Sequence, residues 1–183
     1  YMNLAVIGSG GREHAICYKL KQSPKIKNLI CIPGNAGTQK IAINIDEDIS
    51  NFEAIYKIIK KYNIDLVVVG PEKPLVDGIV DFLNKKKIRV FGPDKFASQL
   101  EGSKAFMKNL CKKNNIPTAN FGIFDNFNDA SAFIEINESP IVVKADGLAA
   151  GKGVTICNSK MEALNSTKEI LNGKFKSSSK VIL

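Results

Sequence analysis

The chain has 183 residues, 44% of them hydrophobic, with a formal net charge of +8. That content suits a folded core and excludes a disordered chain, and no apolar run approaches the ~18 residues of a membrane helix. The charge does not form a nucleic-acid-binding stripe: Arg12 and Arg89 are the only arginines, and lysines such as Lys57, Lys60, Lys61 and Lys85 to Lys87 are interleaved with acids, as on a solvated surface.

The first hundred residues alternate strand and helix. A short apolar strand at 4–7 runs through a glycine turn into a helix at 12–22. This stretch is too short for the apolar part of a signal peptide, and with Met2 as the start Tyr1 reads as an expression scar. The next strand, 29–32, is closed by Pro33-Gly34-Asn35-Ala36-Gly37. Ser50 is expected to cap a helix that carries Phe52, Ile55, Ile58 and Ile59 on one face, with Glu53 completing a capping box. Strand 65–69 ends at Gly70-Pro71, a helix follows at 75–83, and strand 88–91 ends at Gly92-Pro93. Continuous β-branched strands separated by helices predict an α/β domain, a parallel sheet with helices on both faces.

After about residue 100 the pattern changes to mixed α+β. The elements are a helix at 103–113, a strand near 120–124, a helix at 128–136, strands at 141–143 and 154–157 around a glycine loop, a helix at 160–171, and a strand beginning at Val181. Two domains are expected, 1–101 and 102–183, with a polar loop at 177–179. The apolar, strand-like last residues read as a fragment of a longer protein.

Glycine turns carry the chemistry. Gly8-Ser9-Gly10-Gly11-Arg12-Glu13-His14 links the first strand and helix, and such a turn aims amides at an anion. It is not a dinucleotide fingerprint: Glu13 stands where G-x-G-x-x-G needs its third glycine, and the second strand ends Cys31-Ile32-Pro33 without a ribose-binding acid. A single phosphate or carboxylate fits better than a pyrophosphate, and a tight turn without ligand is the alternative. The turns at 33–38, 70–75 and 92–93 leave the same sheet edge, where ligands of open α/β sheets bind. Glu72 is a candidate for an amine or hydroxyl contact, or else a plain helix start. Lys144-Ala-Asp-Gly-Leu-Ala-Ala-Gly-Lys-Gly-Val154 is not a P-loop, because three residues, not four, separate Gly147 from Gly151 and a strand follows instead of a helix. It reads as a β-hairpin whose glycine tip folds over a triphosphate, with Lys144 held by a buried strand. Four scattered cysteines, with no Cys-x-x-Cys pair, read as buried reduced thiols, and His14 has no neighbouring metal ligands.

These motifs, with Pro33-Gly-Asn-Ala-Gly-Thr38, Val69-Gly-Pro-Glu72 and Leu100-Glu-Gly-Ser-Lys-Ala-Phe106, resemble the phosphoribosylamine–glycine ligase family of ATP-grasp enzymes, in order from Met2 to Leu183. The resemblance implies a Rossmann-like pre-ATP-grasp domain followed by the beginning of a truncated ATP-grasp domain. It implies an ATP-dependent carboxylate–amine ligase of de novo purine biosynthesis, cytoplasmic and expected to be monomeric. Its partners would be glycine and 5-phosphoribosylamine, with neither nucleic acid nor membrane. Lys104, Lys144, Gly147, Gly151, Lys152 and Gly153 are then expected on ATP, with 147–153 as a lid. Gly10, Gly11, Asn35, Gly37, Thr38 and Glu72 are expected on the amine substrate, and Arg12 on its phosphate or in a structural role. Mg²⁺ or Mn²⁺ would take ligands outside this fragment, which by itself is expected to be inactive and to contribute no catalytic residue. The competing readings are a sibling ATP-grasp ligase for another acid, a nicotinamide-dependent oxidoreductase and a nucleic-acid binder.

Overall fold

The computed structural model describes residues 1–149, 151–175 and 178–183. Ala150 of the glycine loop, Lys176, and Ser177 of the expected polar loop lie outside the described residues. The chain divides into two compact units, Tyr1–Ser98 and Gln99–Leu183.

The first unit is built on a five-stranded sheet of order β3-β2-β1-β4-β5, in which every pairing is parallel. Its elements are β1 (Met2–Gly8), α1 (Gly11–Lys21), β2 (Ile26–Pro33), a 3₁₀ turn (Thr38–Lys40), β3 (Ile43–Asn44), α2 (Phe52–Lys61), β4 (Leu66–Val69), α3 (Glu72–Asp77), α4 (Ile79–Lys85) and β5 (Val90–Phe91). Both faces of the sheet are covered, which is why its strands read as unbroken apolar runs. Ala5, Ile7, Ile30, Ile32, Val67 and Val69 are buried with Ile55 and Ile59 of α2 and with Ile79 and Leu83 of α4. The alternate residues Leu4, Val6, Leu29 and Cys31 are buried with Cys17 of α1. Burying such side chains contributes roughly 1.5–3 kcal/mol each before the entropy of ordering them is subtracted.

In this unit local expectations shift in four places. The helix expected at 75–83 is two helices, α3 and α4, broken at Gly78. Gly78 has a left-handed φ of 99° and donates its N–H to the carbonyls of Pro74 and Leu75, closing α3 before α4 starts. The cap of α2 is Asn51, not Ser50: Oδ1 of Asn51 accepts the N–H of Ala54 at 3.1 Å. Ser50 is one residue too early and instead donates both its N–H and its hydroxyl to Asp48. The strand expected at 88–91 is only Val90–Phe91, while Ile43–Asn44 adds an unanticipated edge strand.

The second unit contains α5 (Gln99–Gly102), α6 (Lys104–Lys113), β6 (Ile123–Phe124), α7 (Phe127–Ile136), β7 (Ile141–Ala145), β8 (Val154–Cys157), α8 (Lys160–Leu171) and β9 (Val181–Ile182). The strands form an antiparallel sheet of order β6-β9-β7-β8. Ser103, Asn126 and Ser159 cap α6, α7 and α8 by accepting the N–H groups of Phe106, Asp129 and Glu162. Ile141, Val143 and Ala145 are buried with Ala130 and Ile134 of α7 and Ala163 and Ile170 of α8. The pleat places Val142 and Lys144 on the opposite face, where both are half-buried. Among the described residues no helix is long and apolar enough to cross a membrane.

Candidate functional site

In the first unit the strand order reverses between β1 and β4, so a crevice opens beyond their carboxyl ends. Glu13 occupies it. Its side chain turns back from α1 and is buried, with the residue 2% exposed. Oε2 accepts the N–H of Gly10 at 2.6 Å, and Oε1 accepts the Nε–H of Arg12 at 3.1 Å. A Cβ added at Gly8, Gly10 or Gly70 would lie under 3.0 Å from atoms of this side chain. Gly8, which ends β1 with a φ of 126°, and Gly70, which follows β4, leave the room that the Glu13 side chain fills. Arg12 also donates from a terminal guanidinium nitrogen to Oε2 of Glu72 at 3.0 Å, bridging the first turn to the start of α3. The Glu72 carboxyl titrates below its ordinary value, first because its own backbone N–H favours the carboxylate and then because Arg12 does. Arg12 is correspondingly raised, chiefly by its hydrogen bond to Glu72 and then by that to Glu13.

The loop after β2 is tied to the same turn. Oδ1 of Asn35 accepts the N–H groups of Gly37 at 2.7 Å and Thr38 at 2.9 Å. Its Nδ2 donates to the carbonyls of Ser9 at 2.9 Å and Gly10 at 3.3 Å. Thr38 lies beneath, fully buried, its hydroxyl accepting the N–H of Asn35 at 2.7 Å and within bonding distance of Oδ1 of Asn44, at 2.8 Å. A Cβ at Gly37 would meet the ring of His14 within 3.0 Å. Gly10, Arg12, Asn35 and Glu72 are therefore joined in one hydrogen-bonded edge, whereas Thr38 shapes the loop from below. Gly11 is the open position: a Cβ there would meet nothing within 4 Å.

In the second unit, β7 and β8 pair antiparallel from Ile141↔Cys157 to Lys144↔Val154, so the glycine loop is the tip of a hairpin. Its base is fastened to α6. Oδ1 of Asp146 accepts the N–H groups of Ala105 at 3.2 Å and Gly147 at 3.0 Å, and the Ser103 hydroxyl lies 3.2 Å from each Asp146 oxygen. Lys104 stands in the first turn of α6 and donates from Nζ to the carbonyl of Gly147 at 2.9 Å. Gly147 and Gly151 have left-handed φ values of 84° and 76°, and Gly153 is buried against Ala145 and Ala149. Lys152 is exposed on the loop. Lys144 lines a cavity of about 240 Å³ with Lys108, Phe121, Phe133, Ile182 and Leu183. Lys108 is 6% exposed; its Nζ donates to the Thr118 hydroxyl at 2.7 Å and the Ala119 carbonyl at 3.2 Å, over the ring of Phe121. Burial, and then the charge of Lys144, push the Lys108 ammonium below its ordinary pKa.

Glu13, Asp146 and Lys108 are absent from the residues that sequence reasoning placed on ligands. Asp146 had one signal, its place two residues after Lys144 in the glycine motif. Lys108 had none, because a lysine on a helix reads as surface until the fold buries it. The cysteines are free, with Cys17, Cys31 and Cys157 buried. Among the described residues, no group of three or more His, Cys, Asp or Glu side chains could hold a metal ion.

The arrangement has relatives. The model of the phosphoribosylglycinamide synthetase N domain matches residues 2–101, and that of the ATP-grasp (A) domain of the same synthetase matches residues 102–183. The chain is 48% identical over 174 residues to the phosphoribosylamine–glycine ligase of Rhodopirellula baltica, covering 92% of this chain and 40% of that protein. It is 43% identical over 183 residues to the Clostridium acetobutylicum protein of the same name, covering 100% of this chain and 44% of that one. The crystal structure of the Thermotoga maritima phosphoribosylamine–glycine ligase superposes with a TM-score of 0.80 at 32% identity, over 98% of this chain and 42% of that one. The chain thus spans about two fifths of the length of these relatives. Carrying both matched domains in order, it belongs to the phosphoribosylglycinamide synthetase family.

Proposed function

We propose that this chain is the amine-binding domain and the first part of the ATP-binding domain of a ligase. The reaction joins glycine to 5-phosphoribosylamine in de novo purine biosynthesis, in the cytoplasm, giving glycinamide ribonucleotide, ADP and phosphate. The observation that carries this reading is the tie made by Asp146, which fastens the glycine hairpin to the start of α6 and so brings Lys104 to the loop whose base holds Lys144 on β7. Two cations beside a glycine-rich hairpin suit the phosphates of ATP.

In this reading an oxygen of the glycine carboxylate attacks the γ-phosphorus of ATP and ADP leaves, giving glycyl phosphate. The amine nitrogen of 5-phosphoribosylamine then attacks the acyl carbon, phosphate leaves, and the nitrogen gives up a proton. Lys104 and Lys144 offset the charge on the transferring phosphoryl group. Gly147, Gly151, Lys152 and Gly153 cover it, keeping water from an acyl phosphate that water would hydrolyse. The ribose phosphate of the amine substrate lies at the β1–α1 turn, entering on the open side at Gly11, with Arg12 as its counter-charge. Gly10, Asn35, Gly37 and Thr38 shape that turn, and Glu72 orients Arg12. ATP chemistry of this kind uses Mg²⁺ or Mn²⁺. The described residues offer no ligand cluster for such an ion.

The test is ADP release by the full-length protein. Release should require both glycine and 5-phosphoribosylamine, and Lys144→Ala should lower turnover by about 100-fold or more, because a phosphate loses its charged partner. Release supported by bicarbonate or formate in place of glycine, or wild-type activity in Lys144→Ala, would overturn the reading.

A further inference from the structure

In a dinucleotide-binding turn the third glycine lets the helix close on the sheet while a pyrophosphate lies over the turn. This chain places Glu13 there, and the side chain is not directed to solvent. Its carboxylate accepts the N–H of Gly10 at 2.6 Å, as the third residue of α1 does in a capping box, and the Nε–H of Arg12 at 3.1 Å, so both donors are already engaged. It fills the space against Gly8 and Gly70, at the ends of two adjacent strands, and against Gly10, which caps α1. On the outer side of the same turn Gly11 faces open space.

We infer that Glu13 is a built-in anion that sets the specificity of this turn. It takes the inner anion position between β1 and β4, so the edge accepts a ligand with one phosphoryl group on the Gly11 side and rejects one that carries a diphosphate. A second phosphoryl group would find the Gly10 N–H already donated and would face a buried carboxylate of its own sign. The inference rests on the reading of this edge as the site of the amine substrate's ribose phosphate, and adds to it the means by which longer phosphate chains are turned away. Arg12 remains the counter-charge, held between Glu13 and Glu72.

The experiment uses the full-length protein with its nucleotide site saturated by a non-hydrolysable ATP analogue. Ribose 5-phosphate and ribose 5-diphosphate are titrated calorimetrically into the wild type, Glu13→Gln and Glu13→Gly. Glutamine keeps the shape and an acceptor for Gly10 but not the charge; glycine restores the third glycine and empties the position. The wild type should prefer the monophosphate, and that preference should fall by about tenfold in Glu13→Gln and further in Glu13→Gly. A purely structural Glu13 would weaken both ligands alike, so a preference within about twofold of wild type in the variants overturns the inference. If Glu13→Gly does not fold, the Glu13→Gln ratio decides alone. A wild type that binds no ribose 5-phosphate overturns the reading of the edge itself, which separates that failure from an unchanged ratio.

Discussion

Replacing Asp146 by alanine removes an acceptor shared by three donors: the Ser103 hydroxyl, the Ala105 N–H and the Gly147 N–H, at 3.0 to 3.2 Å. Hydrogen bonds to a charged group are worth roughly 1.5–3 kcal/mol when short and dry. These are long and Asp146 is only half-buried, so about 1 kcal/mol each, or about 3 kcal/mol together, is the appropriate scale. Without the tie, the glycine loop and α6 must be brought together when nucleotide binds, and the ordering cost falls on affinity. The Kd for ADP should rise by between about tenfold and 100-fold, at about 1.4 kcal/mol per decade. Asp146→Asn keeps one acceptor oxygen and loses the charge near the helix start, an effect of about 1 kcal/mol or roughly fivefold. The assay is calorimetric titration of the full-length protein with ADP, with ribose 5-phosphate as the control ligand. A Kd for Asp146→Ala within about twofold of wild type would contradict this role of Asp146, as would equal weakening of both ligands.

The buried hydroxyl of Thr38 makes a separate prediction. Thr38→Val keeps the shape but leaves the N–H of Asn35 without its acceptor and removes the contact with Asn44, a loss of about 2–3 kcal/mol. Native-state hydrogen exchange across residues 34–44 should show it, and a change below about 0.5 kcal/mol would contradict it. Lys108 predicts a pH effect. Because its folded pKa is depressed, the folded state releases this proton first as pH rises. The unfolded chain then holds more protons over the interval below the ordinary lysine value of about 10.4, so stability rises with pH there. The stability of wild type relative to Lys108→Met should therefore grow between about pH 8 and pH 10 in urea titrations; a flat or falling difference would refute the assignment.

Local patterns carried much of this protein. Runs such as Leu66–Val69 announced buried parallel strands, because a strand covered on both faces has no polar side to show. The hairpin around the glycine loop was legible because two β-branched segments flank glycines whose spacing rules out a P-loop. The family motifs set the expected chemistry in the same way, as short ordered strings. The cap of α2 and the break at Gly78 escaped because neighbouring residues offered equally good local choices: Ser50 beside Asn51, and a glycine that a helix tolerates at modest cost.

The site's connections were a different matter. Glu13 was visible as a departure from a fingerprint, and its place three residues after Gly10 is a local capping signal, but the room in which its carboxylate is buried is not local. Glycines at the ends of two strands that meet only in the sheet create that space. Asp146 meets Ser103 from 43 positions further along the chain, and Lys108 becomes a wall of the Lys144 cavity only when β7 and β9 pair. Propensity and spacing act over a few residues and can be read along the chain. Hydrogen bonds between distant segments depend on the path that packing imposes, and these bonds determine which cations are already held.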